Sequence, residues 1–430
     1  MNTRPKNNVI KTDLAIIGSG MAGLAAAVFA ANRGISTVVA GKGASFYFAS
    51  GAMDLMGVFP EGMPQLDPWN AIEQERKAIP QHPCGKINNR DISSALGEIF
   101  DFLKAEDLFY QRAAYRNIDL ITSAGTLKPT YMVPQTMWNS VLAFETKADA
   151  ALVDFTGLRI FSARQAAAVL NQKWPGIQSL EIDFPGTEHL EDVHPEHLAR
   201  HMDIAENRRK LAETLSPRVK NVKYVGFSAM LGLYHCAEAV AEMEALLGAK
   251  VFEIPTPPVS VPGIRLLESF KKGLEKNLYF IFLPEMVKEI KLEKNREFTL
   301  FTGQKETRSR IESKGVILAT GRLLGRGLVA DKTGIRESLL NLPVYQPGDR
   351  KNWHSEDLFD PGGHGISRAG IETDDSFRPL DSSSAPVAEH LFAAGSILAH
   401  NDWTRLKCGS GVSVATAFAA VNNFISCKPA

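Results

Sequence analysis

The chain has 430 residues, enough for two domains with sizeable cores, and its 48 basic and 48 acidic side chains give a formal net charge of zero. That balance excludes the electrostatic footprint of a nucleic-acid binder and any long-range pull toward anionic lipid. The four cysteines (Cys84, Cys236, Cys408, Cys427) show no CxxC and no zinc or iron–sulfur spacing. They fit a reducing compartment, imply no metal centre, and place any iron–sulfur step on another polypeptide. The opening MNTRPKNNVIKTD lacks the apolar core of a signal peptide, and no apolar run reaches about 18 residues. Neither export nor a membrane-spanning helix is expected.

The first structured stretch is Asp13–Ala40. Leu14–Ile17 is a short, continuous apolar run and reads as a strand buried on both faces. Met21–Asn32 is rich in helix formers and closed by Gly34, and Ser36–Val39 is a second strand. Between the first strand and the helix stands Gly18-Ser19-Gly20-Met21-Ala22-Gly23. Gly18 permits the tight turn, Gly20 lets the backbone approach a phosphate, and Gly23 lets helix and strand pack closely. The helix start then offers N–H groups and partial positive charge to that phosphate, which places Met21 and Ala22 beside it. A dinucleotide unit normally ends its second strand in Asp or Glu to hold a ribose hydroxyl. Here that place is Ala40, followed by Gly41 and Lys42.

Small residues around Ser50-Gly51 would let the backbone lie against a flat ring, or simply form a loop. Helices are expected over Trp69–Lys77 and Asp91–Leu108. Between about 118 and 301 the pattern is mixed. Ala150–Phe155 and Tyr224–Phe227 read as strands; Ile160–Leu170, Pro195–Leu215 and Ala237–Leu247 read as helices. Pro255–Arg265, with four prolines, is expected to be an extended wall, hinge or linker from which Arg265 can reach inward. Leu266–Leu278 reads as a helix, Tyr279–Leu283 as a strand, and Val287–Leu292 with Phe298–Phe301 as a hairpin. Gly315–Gly321 is a buried strand ending in the small-residue turn Ala319-Thr320-Gly321. Another such strand, His390–Ser396, ends in Gly395-Ser396, and Gly409-Ser410-Gly411-Val412 opens a last helix, Ser413–Phe424.

The expected fold is α/β: a discontinuous Rossmann-type FAD/NAD(P)-binding domain, residues 1–120 plus 260–430, with an inserted α/β or α+β domain over 121–259.

The blocks GSGMAG, ILATG and LFAAGS…GSGVSVATAFAAV together resemble two-domain flavoproteins. In that superfamily the last helix points its N-terminus at the flavin ring, and Gly409, Gly411 and Val412 are the matching positions. The acid that usually follows the late glycine is Ser396 here. The blocks ASGAMDL (49–55), PTPPVSVPGIRL (255–266), GRLLGRGLVADKTGIRESLL (321–340) and TDDSFRP (373–379) resemble the B subunits of anaerobic glycerol-3-phosphate dehydrogenases. That resemblance implies a flavin protein, with FMN by family likeness and FAD as the other option. It further implies an FAD-bearing A-type partner and an iron–sulfur C-type partner. The complex would be cytoplasmic or peripheral at the inner face of the cytoplasmic membrane. It would oxidise a small phosphorylated substrate, sn-glycerol 3-phosphate, to dihydroxyacetone phosphate and pass electrons to quinone. A stand-alone flavin oxidoreductase and a non-catalytic scaffold that keeps the fold are the rival readings.

Flavin-linked alcohol oxidation needs a base for the hydroxyl proton and cations for the phosphate. His364, in the glycine-rich Pro361–Ile366 loop, is the candidate base. Arg322, directly after ATG, and Arg378, in TDDSFRP, lead the candidate cations ahead of Arg326, Arg368 and Arg405. His189, His194, His197 and His201 crowd one acidic stretch; a metal pair at 197 and 201 is conceivable by spacing, but a solvated helix face is the expectation.

Overall fold

The computed structural model describes residues 9–427 apart from 61, 188, 295–296 and 304–308. The polar opening of the chain, through residue 8, lies outside the described residues. The chain folds as two compact units. The first takes in the residues up to Ser45, Asp54–Phe102 and those from Phe270 onward; the second takes in Phe46–Met53 and Leu103–Ser269. The changeovers fall near 102 and 270, where the sequence reading set them at 120 and 260, and Phe46–Met53 goes with the second unit.

The first unit is built on a seven-stranded sheet. Val9–Ile17 lies at its centre, parallel to Thr37–Ala40 on one side and Ser309–Leu318 on the other. Phe280–Leu283 extends the sheet beyond Thr37–Ala40, also in parallel. On the far side the ten-residue strand Ser309–Leu318 has two neighbours. Its first half pairs antiparallel with Phe298–Thr302, which pairs with Val287–Leu292, and its second half pairs parallel with Leu391–Ala393. Leu14–Ile17, Val38–Ala40 and Val316–Leu318, the carboxyl halves of the central strands, are apolar and buried because both faces are covered there. Helix Met21–Asn32 is buried from Ala22 to Ala30, and alanines let it sit close to the last helix, Gly409–Ser426. Phe29 meets Phe418 of that helix edge-on, with ring centroids 5.1 Å apart.

The second unit holds a four-stranded parallel sheet in the order Lys250–Ile254, Tyr224–Ser228, Ala150–Phe155, Gln178–Ile182. Of the two classes left open by the sequence, this is α/β. Its direction of winding reverses between the first and third strands in chain order, where such sheets usually take ligands. Here the carboxyl edge is closed by the unit's own acids. Asp154 accepts the amides of Phe155 and Ala163 at 2.8 and 3.0 Å. Asp203 accepts those of Leu233, Tyr234 and His235 at 3.0 to 3.2 Å. Glu253 accepts that of Leu231 at 2.6 Å.

Three expectations need correction. Pro195–Leu215 is two helices, Pro195–Met202 and Ala205–Leu215, broken where Asp203 turns its carboxylate to the Leu233–His235 amides. Pro255–Arg265 is not extended throughout: helix Val261–Glu275 starts inside it, with Pro262 in the first turn where a missing N–H costs nothing. Leu278 lies beyond that helix. The hairpin Ile118–Ile121/Leu127–Thr130, helix Gln135–Thr146 and strand Gln178–Ile182 were not foreseen. No helix among the described residues is long and apolar enough to cross a membrane.

Candidate cofactor site

The first glycine loop is pinned on three sides. The Gly18 amide donates to the Ala40 carbonyl at 2.8 Å, and the Ala319 amide donates to the Ile17 carbonyl at 2.9 Å. Gly18 sits at φ +110°, and a Cβ there would lie 2.2 Å from the Ala319 carbonyl oxygen. A Cβ on Gly23 would lie 1.9 Å from the Gly18 carbonyl oxygen. No side chain fits at either position. Gly20 caps helix Met21–Asn32 without a side-chain bond, and no acid occupies the first turn. The amides of Met21, Ala22 and Gly23 have no acceptor further back in the helix, so the dipole end is uncompensated by side chains. Gly20 and Met21 are partly exposed, which leaves an approach to them.

Two further observations fit a phosphate. The Ser19 hydroxyl is buried with no hydrogen-bond partner in the protein. Across the loop, the Ser45 hydroxyl stands 3.0 Å from where a Gly20 Cβ would be. Ser19 and Ser45 escaped the sequence reading because the motif specifies only glycines. Strand Thr37–Ala40 ends in buried Ala40, and a side chain on Gly41 would strike the Ser19 amide and hydroxyl at 2.6 Å. Lys42 is exposed, so small residues and a cation occupy the place of the usual ribose acid.

The late blocks meet this loop. The Ala394 amide donates to the Leu318 carbonyl at 3.0 Å, and the Gly395 amide donates to the Thr416 hydroxyl at 2.9 Å. Gly395 has φ +80°, and a Cβ there would lie 2.6 Å from Ala22 Cβ. The Ser396 hydroxyl is 3.6 Å from a Cβ built on Gly321. Ala22, Ala319, Thr320, Gly321, Gly395 and Ser396 are thus one neighbourhood, and the Thr320 hydroxyl there is buried without a partner.

The last helix is committed differently from expectation. The Gly411 amide donates to the Asp54 carbonyl at 2.7 Å, and the Ser410 hydroxyl accepts the Asp54 amide at 2.8 Å. Val412 is fully buried and its amide closes onto the Cys408 carbonyl. Gly411 and Val412 therefore anchor the helix, and of the matching positions Gly409 alone stands at its first residue. Ser50 and Gly51 belong to the second unit. The Ser50 hydroxyl accepts the Ala52 amide at 3.4 Å, the Gly51 carbonyl accepts the Tyr110 hydroxyl at 2.7 Å, and a Cβ on Gly51 would strike Pro262.

The candidate base and cations are largely spoken for. His364 Nδ1 accepts the Ser355 amide at 3.0 Å, so the proton sits on Nε2, which donates to the Leu358 carbonyl at 3.0 Å. No ring nitrogen is left for a substrate hydroxyl. Arg378 clasps Asp374 with Nε and a terminal nitrogen, both at 2.7 Å from one carboxylate oxygen. Arg322 donates to the carbonyls of Ser367, Leu398 (3.3 Å) and Asn401 (2.5 Å). Burial pushes the Arg322 guanidinium down to about 10, against the pull of Asp402 and Cys408. Its Nε is buried and unpaired, as is Nδ2 of fully buried Asn401. These two N–H donors are left unsatisfied within the protein. Arg405 holds the Pro361 carbonyl and faces Asp402 at 3.6 Å, Arg368 reaches the Gly362 carbonyl at 3.4 Å, and Arg326 is exposed. In the second unit Arg265 does reach inward, to Glu253. His194 packs edge-on against His197, and His201 against Phe184. Among the described residues no three His, Cys, Asp or Glu side chains are grouped to hold a metal.

A glycine loop between parallel strands, met by two late small-residue turns, defines a flavoprotein of the FAD-binding class, and the FAD binding domain family model matches residues 13–412. That model speaks for FAD and gives no support to FMN. The chain is 30% identical over 430 residues to the B subunit of a probable anaerobic glycerol-3-phosphate dehydrogenase of Halobacterium salinarum, covering 96% of this chain and 97% of that one. It is 28% identical over 437 residues to the corresponding B subunit of Vibrio vulnificus, covering 98% of each. The chain belongs to the family of anaerobic glycerol-3-phosphate dehydrogenase B subunits. Among solved structures, the 3-ketosteroid delta1-dehydrogenase of Sterolibacterium denitrificans aligns over 97% of this chain and all of that one, at 11% identity and a TM-score of 0.43.

Proposed function

We propose that this chain is a flavin-bearing member of a glycerol-3-phosphate dehydrogenase complex and relays electrons toward quinone. An FAD-bearing A-type partner would oxidise sn-glycerol 3-phosphate to dihydroxyacetone phosphate, and an iron–sulfur C-type partner would carry the electrons onward. The observation that carries the flavin reading is the open first turn of helix Met21–Asn32 beside the unpaired Ser19 hydroxyl. FAD is the cofactor proposed. Its pyrophosphate would be held by the amides of Met21, Ala22 and Gly23 and by Ser19, with Gly18, Gly20 and Gly41 keeping side chains out of the way. Lys42 and the edge at Ala40 would face the adenosine side, and Ala319–Gly321, Gly395, Ser396 and Gly409 the ring side. When bound, a flavin accepts an electron pair from one donor and passes electrons on singly or in pairs.

Relay is preferred over substrate oxidation in this chain because His364 and Arg378 are consumed by internal partners. Arg322 and Asn401 are proposed to donate Nε–H and Nδ2–H to an oxygen of the ligand, with Thr320 beside them. The first unit is read as the flavin domain and the second as an inserted supporting domain. A cytoplasmic place, peripheral at the inner face of the membrane through partners, goes with this reading.

The test is made on purified, flavin-reconstituted protein. Heat release and mass measurement should give FAD, and glycerol 3-phosphate should leave the flavin oxidised until the partner subunits are added. Bleaching of the isolated chain would move substrate oxidation into it. Absence of any flavin band after reconstitution, with partners still bound, would leave the scaffold reading.

A further inference from the structure

The loop around His364 has work that the proposed flavin site does not use. Its tip, Glu356-Asp357-Leu358-Phe359-Asp360, turns two large apolar side chains into water: Leu358 is 74% and Phe359 85% exposed. A slack loop would fold such side chains back onto the protein. This one is braced against doing so. The Asp357 carboxylate accepts the Phe359 amide at 2.9 Å, and the Asp360 carboxylate accepts the Gly362 amide at 2.7 Å. Ser355 ties the two ends together, its hydroxyl donating to the Gly363 carbonyl at 2.8 Å and its amide to His364 Nδ1. His364 Nε2 holds the Leu358 carbonyl from below, and Arg405 holds that of Pro361. Bracing of this kind removes the ordering cost that a mobile loop would meet on binding.

The charge around the tip says what it meets. Three carboxylates lie within five residues, and those of Glu356 and Asp357 are exposed. The Gly362 amide and Ser355 beside it hold Asp360 below the usual carboxylate range, helped by Arg405, so it keeps its charge. The neighbouring cations, Arg368 and Arg405, are turned to carbonyls inside the loop. An acidic collar repels anionic lipid and nucleic acid and is complementary to a basic rim.

We propose that the Glu356–Asp360 tip is a docking knob: Leu358 and Phe359 enter an apolar socket, rimmed by Lys and Arg, on a partner protein of the complex. The inference rests on reading the chain as a member of a complex, and it names the surface used. His364 is a positioning residue for the knob.

The full chain is co-expressed with its A-type and C-type partners, and association is measured through a tag on the partner. Leu358→Ser with Phe359→Ser should cut the co-purified chain at least tenfold, while thermal midpoint and bound flavin per chain stay unchanged. Glu356→Lys, which touches none of the bracing bonds, should weaken association and flatten its salt dependence. Leu278→Ser, at a side chain 97% exposed elsewhere, should do neither. If the wild-type chain does not associate with the partners, the complex reading fails and the knob with it. If the wild-type chain associates and the double variant does so equally well, the knob alone is overturned. Loss of self-association by light scattering, or of sedimentation with phosphatidylcholine vesicles, in the double variant but not the wild type would also overturn it, assigning the tip to a second copy or to a bilayer.

Discussion

Replacing Gly23 by alanine tests the site at its tightest point. The added methyl would lie 1.9 Å from the Gly18 carbonyl oxygen, 2.9 Å from its carbon and 3.5 Å from Ala319 Cβ. Carbon and oxygen rest no closer than about 3.3 Å, so roughly 1.4 Å of movement is required. Neither side yields easily, because the Gly18 amide is bonded to Ala40 and the facing Ala319 amide to Ile17. Overpacking of this kind costs about 1–3 kcal/mol, or a fall of roughly 2–12 °C in thermal midpoint for a unit of this size. The first-turn amides move with the helix start. Losing even one charge-assisted hydrogen bond, at about 1.5–3 kcal/mol, weakens phosphate binding by roughly 10- to 150-fold. The assay is flavin absorbance per chain after gel filtration, with melting in parallel. Gly34→Ala is the control: φ is +64° but nothing lies within 4 Å, so it should cost about 1 kcal/mol of stability and no flavin. Full flavin occupancy in Gly23→Ala would refute the assignment of the first turn as the phosphate cradle.

Ser19→Ala removes a buried hydroxyl that lacks a protein partner, so the cofactor-free protein should melt at the same temperature or higher, while flavin affinity falls about fivefold in a titration. Arg265→Met should destabilise by about 3–5 kcal/mol in urea unfolding, because it strands fully buried Glu253. Burial opposes Glu253 ionisation, yet Arg265, Thr136 and the Leu231 amide outweigh it and hold the carboxyl below its ordinary value. A lowered acid stabilises above its unfolded value near 4.3 and loses that stabilisation as pH falls through its folded one, so the wild-type minus Arg265→Met difference should shrink below about pH 4. Asp203→Ala strands the Leu233, Tyr234 and His235 amides and should cost about 2–4 kcal/mol. Inorganic phosphate should raise the melting temperature of this variant by more than that of the wild type, whose first-turn amides at Met21–Gly23 also attract the ion.

Much of the first unit was legible because periodicity and glycine spacing are local signals. Helix Met21–Asn32 falls on its expected residues, and the late strand and last helix lie where small-residue runs put them. Elements held by tertiary contact were not legible. Gln178–Ile182 alternates no clear apolar face because it is a sheet edge, and Asp203 breaks a helical pattern only through amides about thirty residues away. The candidate site divides the same way. Glycine positions depend on backbone clearance, which a motif encodes. The reach of an arginine or histidine depends on which carbonyl it finds: His364, Arg322 and Arg378 are plausible ligand contacts in sequence and mostly internal braces in the fold.

The parallel strands of the two sheets sharpen that contrast. Both present strand ends and helix starts of the kind that attract phosphate, so topology alone does not say which one binds. Supply of negative charge favours the first. In the second unit Asp154, Asp203 and Glu253 bring carboxylates onto the loop amides, and the need for an anion is met within the chain. In the first unit the corresponding helix start has Gly20 before it, no acid in its first turn, and alanine rather than an acid at the end of the next strand. The missing ribose acid at Ala40 therefore does not empty the site of purpose. It removes one anchor from the sugar while leaving the first-turn amides of helix Met21–Asn32 without an internal anion.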